Sequence, residues 1–169
     1  DKEYDIISKV KLLSYTPDAD QKIILAALMR VYSYDYEKAL KVYKTIEKDQ
    51  ELQRKLMKAM IKTVDKRELK QVNFGFQFAI SLATLTHYTR HRTHPIVIPD
   101  FVPIKDLTKY KIPPTMNSEM KKIYINALNK TYKLYLEFKE NNVCDEDLVY
   151  FYLTGNMLNI ETNFDGGTL

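Results

Sequence analysis

The chain has 169 residues, with 26 lysines and arginines against 22 aspartates and glutamates, a net charge of +4. Its single cysteine, Cys144, excludes an intramolecular disulfide and with it the small disulfide-stabilised domains. The longest apolar run, Ile23 to Met29, is seven residues long, whereas a membrane-spanning helix needs about 20. No basic-then-apolar leader opens the chain, and the basic residues are scattered rather than gathered in a stripe. We therefore expect a cytoplasmic protein that binds neither membrane nor nucleic acid.

The first part of the chain is predicted to form a strand and three helices. Residues 5–15 mix aliphatic residues with lysines and end at Thr16-Pro17, which predicts a strand and a turn. Pro17 suits the first position of a helix, with Asp18 and Asp20 favourable at its positive end. The helical spacing of apolar residues continues through Val31. Two further helical patterns span about 36–47 and 52–64.

The clearest strand signal lies at residues 72–78, where valine and phenylalanines alternate with polar or small residues. Gly75 weakens a strand interior and predicts a place where another backbone or a ligand comes close. Beyond Ile80 the apolar spacing becomes helical. We predict that this helix carries residues 87–92 in its last turns.

Prolines govern the chain that follows. Pro95 and Pro99 prevent a regular helix across residues 96–98, which are therefore predicted to be an extended segment or an edge strand. Three more prolines make 101–116 a long loop, and a long helix is predicted from Asn117 or Ser118 to about Glu140.

A short helix is predicted over 146–157, after a break at Asn141-Asn142. The fold class is α+β, helix-rich with a small antiparallel or mixed sheet. We expect a single domain over 1–169, with a C-terminal part of that domain lying beyond Leu169.

All three histidines lie within the eight residues from His87 to His94, beside Arg90 and Arg92. Arginine binds phosphate through two hydrogen bonds, and histidine donates, accepts or titrates near neutral pH. Such a cluster suits a nucleotide or a phosphate-bearing cofactor. The alternative is a solvated helix end, whose cations offset the negative end of the helix dipole. The spacing alone leaves both interpretations open.

A metal site is a further alternative for the same segment. His87, His91 and His94 share one helical face, and Asp100 offers a carboxylate. Two arginines within the segment would repel a cation, and the chain has no metalloprotease pattern. We predict no metal. Cys144 precedes the acidic run Asp145 to Asp147, which raises the pKa of a thiol rather than activating it.

The order of strand, short helix and Arg90-His91-Arg92 resembles the flavin-dependent thymidylate synthase (ThyX) family. That family has a strand of the type F-x-F-x-I, then a helix, then the signature R-H-R, and here the strand reads Phe74 to Ile80. The segment containing Arg30-Val31-Tyr32-Ser33 is similar to the first helix of the family. The similarity runs in order along most of the chain, but it is specific only over about 72–92.

The resemblance implies that the protein makes dTMP from dUMP or methylates a related pyrimidine nucleotide. In that family FAD is the hydride carrier, methylenetetrahydrofolate the carbon donor and NADPH the reductant, and the enzymes are homotetramers. Arg90, His91 and Arg92 match the triplet that contacts the flavin. Charge-assisted bonds from arginine to flavin phosphates or ring carbonyls are physically sensible there.

The substrate half of the signature differs. Where the family has glutamine, serine and arginine, this chain has His87, Asp100 and Val102. His87 and Asp100 therefore stand at the positions of substrate contacts, and an aspartate would repel a substrate phosphate. Two functions follow from the resemblance: a flavin-dependent methyltransferase with an altered pyrimidine pocket, or a catalytically silent relative that serves as a binding or structural subunit.

Overall fold

The computed structural model describes residue 7 and residues 9–90, 94–100 and 107–169. In chain order its elements are β1 (Lys11–Tyr15), α1 (Ala19–Tyr32), α2 (Tyr36–Ile46), α3 (Gln50–Ile61), β2 (Asn73–Ser81), α4 (Leu82–Tyr88), β3 (Ile96–Val97), α5 (Ser118–Glu140), α6 (Asp145–Leu148) and β4 (Met157–Asp165). Short 3₁₀ turns lie at Leu69–Gln71 and Val149–Phe151.

The four strands form one antiparallel sheet in the order β1-β2-β4-β3. A helix-rich α+β fold with a small sheet is therefore confirmed. Among the described residues, no helix is both long and apolar enough to cross a membrane.

The chain divides into two compact units. The α1–α3 unit comprises residues 12–76, 93–95 and 162–169. Its core is an apolar cluster centred on α1, including Ile23, Ile24 and Leu28, against which Tyr43 of α2 and Met60 of α3 pack. The helices begin where local chemistry predicts. Asp35 and Asp49 each accept a hydrogen bond from a backbone N–H of the first turn of α2 and α3.

The α4–α6 unit comprises residues 1–11, 77–92 and 96–161. One cluster of buried side chains joins the end of β2 to α4 and β4 through Ile80, Leu85, Leu158 and Ile160. A second cluster packs Leu107, Tyr135 of α5 and Leu148 of α6 together. Asn117 caps α5 by accepting a hydrogen bond from the Met120 N–H at 2.9 Å. The predicted start and end of this helix are confirmed.

Three predictions about elements are wrong. Pro17 does not begin α1, because it lies in a turn with Asp18, which takes a left-handed backbone at φ 52° before the helix begins at Ala19. The helix that follows β2 ends at Tyr88, so Arg90 lies beyond it.

The predicted helix over 146–157 begins as expected in α6 but is wrong in its extent, because α6 ends at Leu148 and β4 begins at Met157. The alternation of Leu158, Ile160 and Thr162 with polar residues has the period of a strand. All three side chains are buried.

Candidate functional site

The candidate site lies at the C-terminal end of α4, directly after β2. Phe78 and Ile80 of β2 pack with Leu85 and Tyr88 of α4, and the rings of Phe78 and Tyr88 meet edge to face at 6.0 Å. This packing fixes the direction in which the helix leaves the sheet. Its last turn therefore projects from a rigid base rather than from a loop.

Three hydrogen bonds hold the first turn of α4. Ser81 caps the helix, since its hydroxyl accepts from the Thr84 N–H at 3.2 Å. The N–H groups of Leu82 and Ala83 donate to the carbonyl oxygens of Asn156 and Thr154, at 3.0 and 2.9 Å. Backbone donors that a helix start leaves unpaired thus find partners in the segment before β4.

The helix ends in a tight turn that presents His87 and Arg90. The Thr89 N–H and hydroxyl both donate to the Leu85 carbonyl, at 2.9 and 3.0 Å. The Arg90 N–H then donates to the carbonyl of His87 at 3.2 Å. His87 lies in the last turn of the helix and Arg90 follows it by three residues, and both side chains are exposed.

The structure places three of the five predicted site residues. His87, Arg90 and Asp100 all belong to the α4–α6 unit and are exposed. In the part of the chain that the structure describes, none of these three side chains makes a hydrogen bond or an ion pair. His91 and Arg92 lie outside the described residues, so their positions in the flavin triplet stay a prediction.

An arginine and a histidine whose side chains make no hydrogen bonds to the described residues can donate to or accept from a ligand. Arg90 offers a planar set of donors that matches phosphate or carbonyl oxygens. His87 offers a donor or an acceptor according to its tautomer. A carboxylate such as Asp100 instead accepts from hydroxyl or N–H groups. Arg90 and His87 thus suit an anionic or carbonyl-bearing ligand, and Asp100 suits a group that donates a hydrogen bond.

Within the described ranges, no three His, Cys, Asp or Glu side chains are grouped closely enough to hold a metal ion. His94, the last residue of the alternative metal set, belongs to the α1–α3 unit, where its ring lies 4.4 Å from that of Phe164. His91 lies outside the described residues. The thiol of Cys144 is exposed and donates to Asp147 at 3.1 Å. This bond, with the nearby charges of Asp147 and Glu146, raises the pKa of Cys144, as its acidic neighbours predicted.

Two features of the α1–α3 unit were not predicted from the sequence. Glu68, only 3% exposed, accepts a hydrogen bond from Nε of Arg30 on α1. Burial alone raises the pKa of Glu68, but the hydrogen bonds from Arg30 and the backbone, with the charges of Arg30 and Arg67, lower it below its usual range. The two residues are 38 positions apart. No local spacing could have paired them.

The second feature is a cavity of about 550 Å³ beside α1. Its polar lining comes from Gln21, Lys22, Tyr36 and Gln71, among others. Gln71 directly precedes the segment that leads into β2, so the cavity draws on elements far apart in the chain. Each of these polar residues is of a type that is common on protein surfaces, so the sequence does not predict the cavity.

Several solved structures share the fold. A UMP/dUMP methylase, PolB from Streptomyces cacaoi, solved with 5-Br dUMP, matches with a TM-score of 0.69 at 14% identity over 96% of this chain and 74% of that one. Thymidylate synthase X from Helicobacter pylori, solved with FAD and dUMP, matches with a TM-score of 0.67 at 13% identity over 95% and 79%. No curated protein is similar enough in sequence to match.

The family assignment comes from the sequence itself. Residues 11–157 match the model of the family Thy1, described as thymidylate synthase complementing protein. The match begins at β1 and extends to the first residue of β4, so it includes β2, α4 and the turn that presents Arg90. The resemblance seen in the strand and the R-H-R signature is thereby confirmed, and the chain belongs to the ThyX family of thymidylate synthase complementing proteins.

Proposed function

We propose that the protein is a divergent flavin-dependent methyltransferase that methylates dUMP or a related pyrimidine nucleotide. FAD would be its cofactor, and methylenetetrahydrofolate and NADPH its co-substrates. The proposal includes a homotetramer, which the family resemblance implies, and a cytoplasmic location, which the sequence composition predicts. When bound, the flavin would supply the hydride that reduces the transferred one-carbon unit to a methyl group.

The observation that carries this proposal is the exposed guanidinium of Arg90 at the family's flavin-contact position. It follows a helix that is held at its first turn, and its side chain has no partner among the described residues. An exposed cation that has no counter-ion within the described ranges fits a cofactor that bears phosphates. We propose that Arg90, His91 and Arg92 bind and orient the flavin.

His87 and Asp100 are proposed to contact the pyrimidine nucleotide. The carboxylate of Asp100 would repel a phosphate but would accept a hydrogen bond from a sugar hydroxyl or from the N–H of the base. The fold neighbour PolB is described as acting on both UMP and dUMP. A carboxylate that accepts from a 2′-hydroxyl would favour the ribonucleotide, which makes UMP a substrate to test beside dUMP.

Flavin retention tests the cofactor site. We expect the purified protein to show visible flavin bands that persist after added FAD is removed by gel filtration. Arg90→Ala should weaken FAD binding about tenfold or more, because a hydrogen bond to a charged group is worth about 1.5–3 kcal/mol. Arg54→Ala, which removes an exposed arginine from α3, is the matched control and should leave binding unchanged. Equal retention by both variants would refute the site.

Turnover tests the reaction. With FAD, NADPH and methylenetetrahydrofolate present, we expect a 5-methyl nucleotide to form from dUMP or UMP. Asp100→Ser should shift the ratio of activities toward dUMP if Asp100 binds the ribose. An unchanged ratio would remove Asp100 from the pocket. Complementation of a thymidine auxotroph then separates a thymidylate synthase from a methylase of other pyrimidines.

The second candidate function is a catalytically silent relative that binds flavin or nucleotide, or serves as a structural subunit. The replacement of three substrate positions, by His87, Asp100 and Val102, favours it. Flavin retention without turnover on any pyrimidine nucleotide would support this function and exclude the methyltransferase.

A further inference from the structure

The first strand, β1, is unusual because apolar side chains are exposed on both of its faces. Leu12 and Leu13 point to opposite faces, yet they are 53% and 51% exposed. Val10 and Tyr15 at the two ends are more exposed still. A strand at the edge of a sheet normally buries at least one face against the core.

One edge of β1 pairs with β2, and the hydrogen bonds there show which residues of β1 direct their N–H and carbonyl groups toward β2. The Thr16 N–H donates to the Asn73 carbonyl at 2.9 Å. Ser14 lies against Gly75, where an added Cβ would come within 2.4 Å of the Ser14 hydroxyl. Because backbone groups alternate in direction along a strand, the even-numbered residues of β1 face β2.

The other edge of β1 has no partner strand in the part of the chain that the structure describes, since β1 ends the strand order. The N–H and carbonyl groups of Lys11, Leu13 and Tyr15 therefore point outward, away from β2. Such an edge is a template for another strand. Pro17, two residues beyond Tyr15, limits the pairing to this short segment.

We propose that this edge pairs with β1 of a second copy of the chain, antiparallel, with a two-fold axis at Leu13. The inference rests on the self-association included in the proposed function and names the surface that performs it. In this register Leu13 meets Leu13 of the second copy, and each Lys11 meets a Tyr15. Each of these pairs exchanges two backbone hydrogen bonds.

Charge favours this register over its neighbours. Lys11 is the one charged residue of β1. Placing the axis at Leu13 sets the ammonium of Lys11 against the ring of Tyr15, a favourable cation–π arrangement. Placing the axis at Lys11 would oppose two like charges, which is destabilising. The short strand thus selects one alignment with itself, as an isologous two-fold contact requires.

Cysteine cross-linking tests the pairing in a Cys144→Ser background, which removes the native thiol. Across a hydrogen-bonded antiparallel pair the Cα atoms are about 5.5 Å apart, within the range for a disulfide. Leu13→Cys should therefore form a covalent dimer in a mild redox buffer. Leu12→Cys is the matched control, because Leu12 is about equally exposed. In the proposed register Leu12 of one copy is displaced by two positions from Leu12 of the other, so their Cα atoms are more than about 7 Å apart, too far for a disulfide.

We expect Leu13→Cys to cross-link at least tenfold faster than Leu12→Cys, with light scattering showing a dimer or larger assembly of the unmodified chain. Equal rates in an assembly would overturn the β1 contact and leave self-association through another surface. A monomer at every concentration would overturn both the contact and the proposed oligomer. Flavin retention by Arg90→Ala is a separate measurement on a different surface, so the cofactor site is judged by that experiment and the β1 contact by this one.

Discussion

Arg30 and Glu68 show how one pair of residues can couple the stability of the α1–α3 unit to pH. The carboxylate of Glu68 is buried, whereas the side chain of its partner Arg30 is 53% exposed. A buried carboxylate needs its partner to stay charged, because burial alone favours the protonated form. The lowered pKa of Glu68 therefore depends on Arg30.

We predict that Arg30→Met lowers the free energy of unfolding by about 2 kcal/mol at pH 7, because it leaves the buried carboxylate of Glu68 without its partner. The loss is limited to this size because the side chain of Arg30 is half exposed and solvent screens the pair. In the wild type, Glu68 contributes stability above its unfolded pKa of about 4.3, and this contribution is lost as pH falls through the lower folded pKa. In the variant the folded pKa rises, so the stability difference should shrink toward pH 4.

Urea unfolding between pH 4 and 7 measures both effects. Lys55→Met is the control, because Lys55 pairs at 2.9 Å with Glu51, both side chains are exposed, and such surface pairs contribute about 0.5 kcal/mol. A loss that does not depend on pH would show that Arg30 stabilises the unit by packing alone.

Among the elements, those with strong periodicity were predictable and those defined by distant contacts were not. β2 shows a clean alternation, and α5 has both a cap at Asn117 and a long apolar repeat. β4 carries the same alternation as β2. The sequence does not predict β4, because the helical pattern that begins at Asp145 predicts a helix that continues past the end of α6.

Asn156 explains why the segment before β4 is not helical. Its side chain is buried, donates to the Leu107 carbonyl at 3.0 Å and accepts from the Leu153 N–H at 2.7 Å. Its own carbonyl accepts from the first N–H of α4. One asparagine thus joins the loop before α5, the turn before β4 and the start of the helix that presents Arg90.

We predict that Asn156→Ala destabilises the protein by about 2–4 kcal/mol, because the buried carbonyl of Leu107 and the partly buried N–H of Leu153 lose their partners. Urea denaturation measures the loss. Asn129→Ala, an exposed position in α5, is the control and should change stability by less than about 0.5 kcal/mol. A similar small effect at Asn156 would mean that water replaces its side chain.

At the scale of the whole molecule, the family and fold class were accessible from the sequence, whereas the arrangement of the site was only partly so. The alternating strand and the R-H-R signature after it each involve only residues that are close together in the chain, so both can be recognised from the sequence. Arg90 was expected within a helix, but its last turn closes at Thr89 through hydrogen bonds to Leu85. No spacing rule predicts that stop.

Ligand binding should stabilise the whole protein if the proposed cofactor site exists. A ligand at 100 times its dissociation constant adds about 2.7 kcal/mol to the free energy of unfolding. We therefore expect saturating FAD to raise Tm by several degrees, as followed by calorimetry, and Arg90→Ala to reduce that rise. Riboflavin, which lacks the phosphates, is the matched control. An equal rise with both would mean that Arg90 does not bind the phosphates.

The close approach of Ser14 to Gly75 constrains how the two positions can evolve. A Cβ at position 75 would come within 2.4 Å of the Ser14 hydroxyl, whereas the Cβ and N of Ser14 would lie at 3.6 and 3.7 Å, so replacement of Gly75 requires the Ser14 hydroxyl to rotate away. A prior change of Ser14 to glycine would remove the colliding atoms and open the position. Replacement of Gly75 should therefore cost less once Ser14 has lost its hydroxyl, so the residues tolerated at one position depend on the residue at the other.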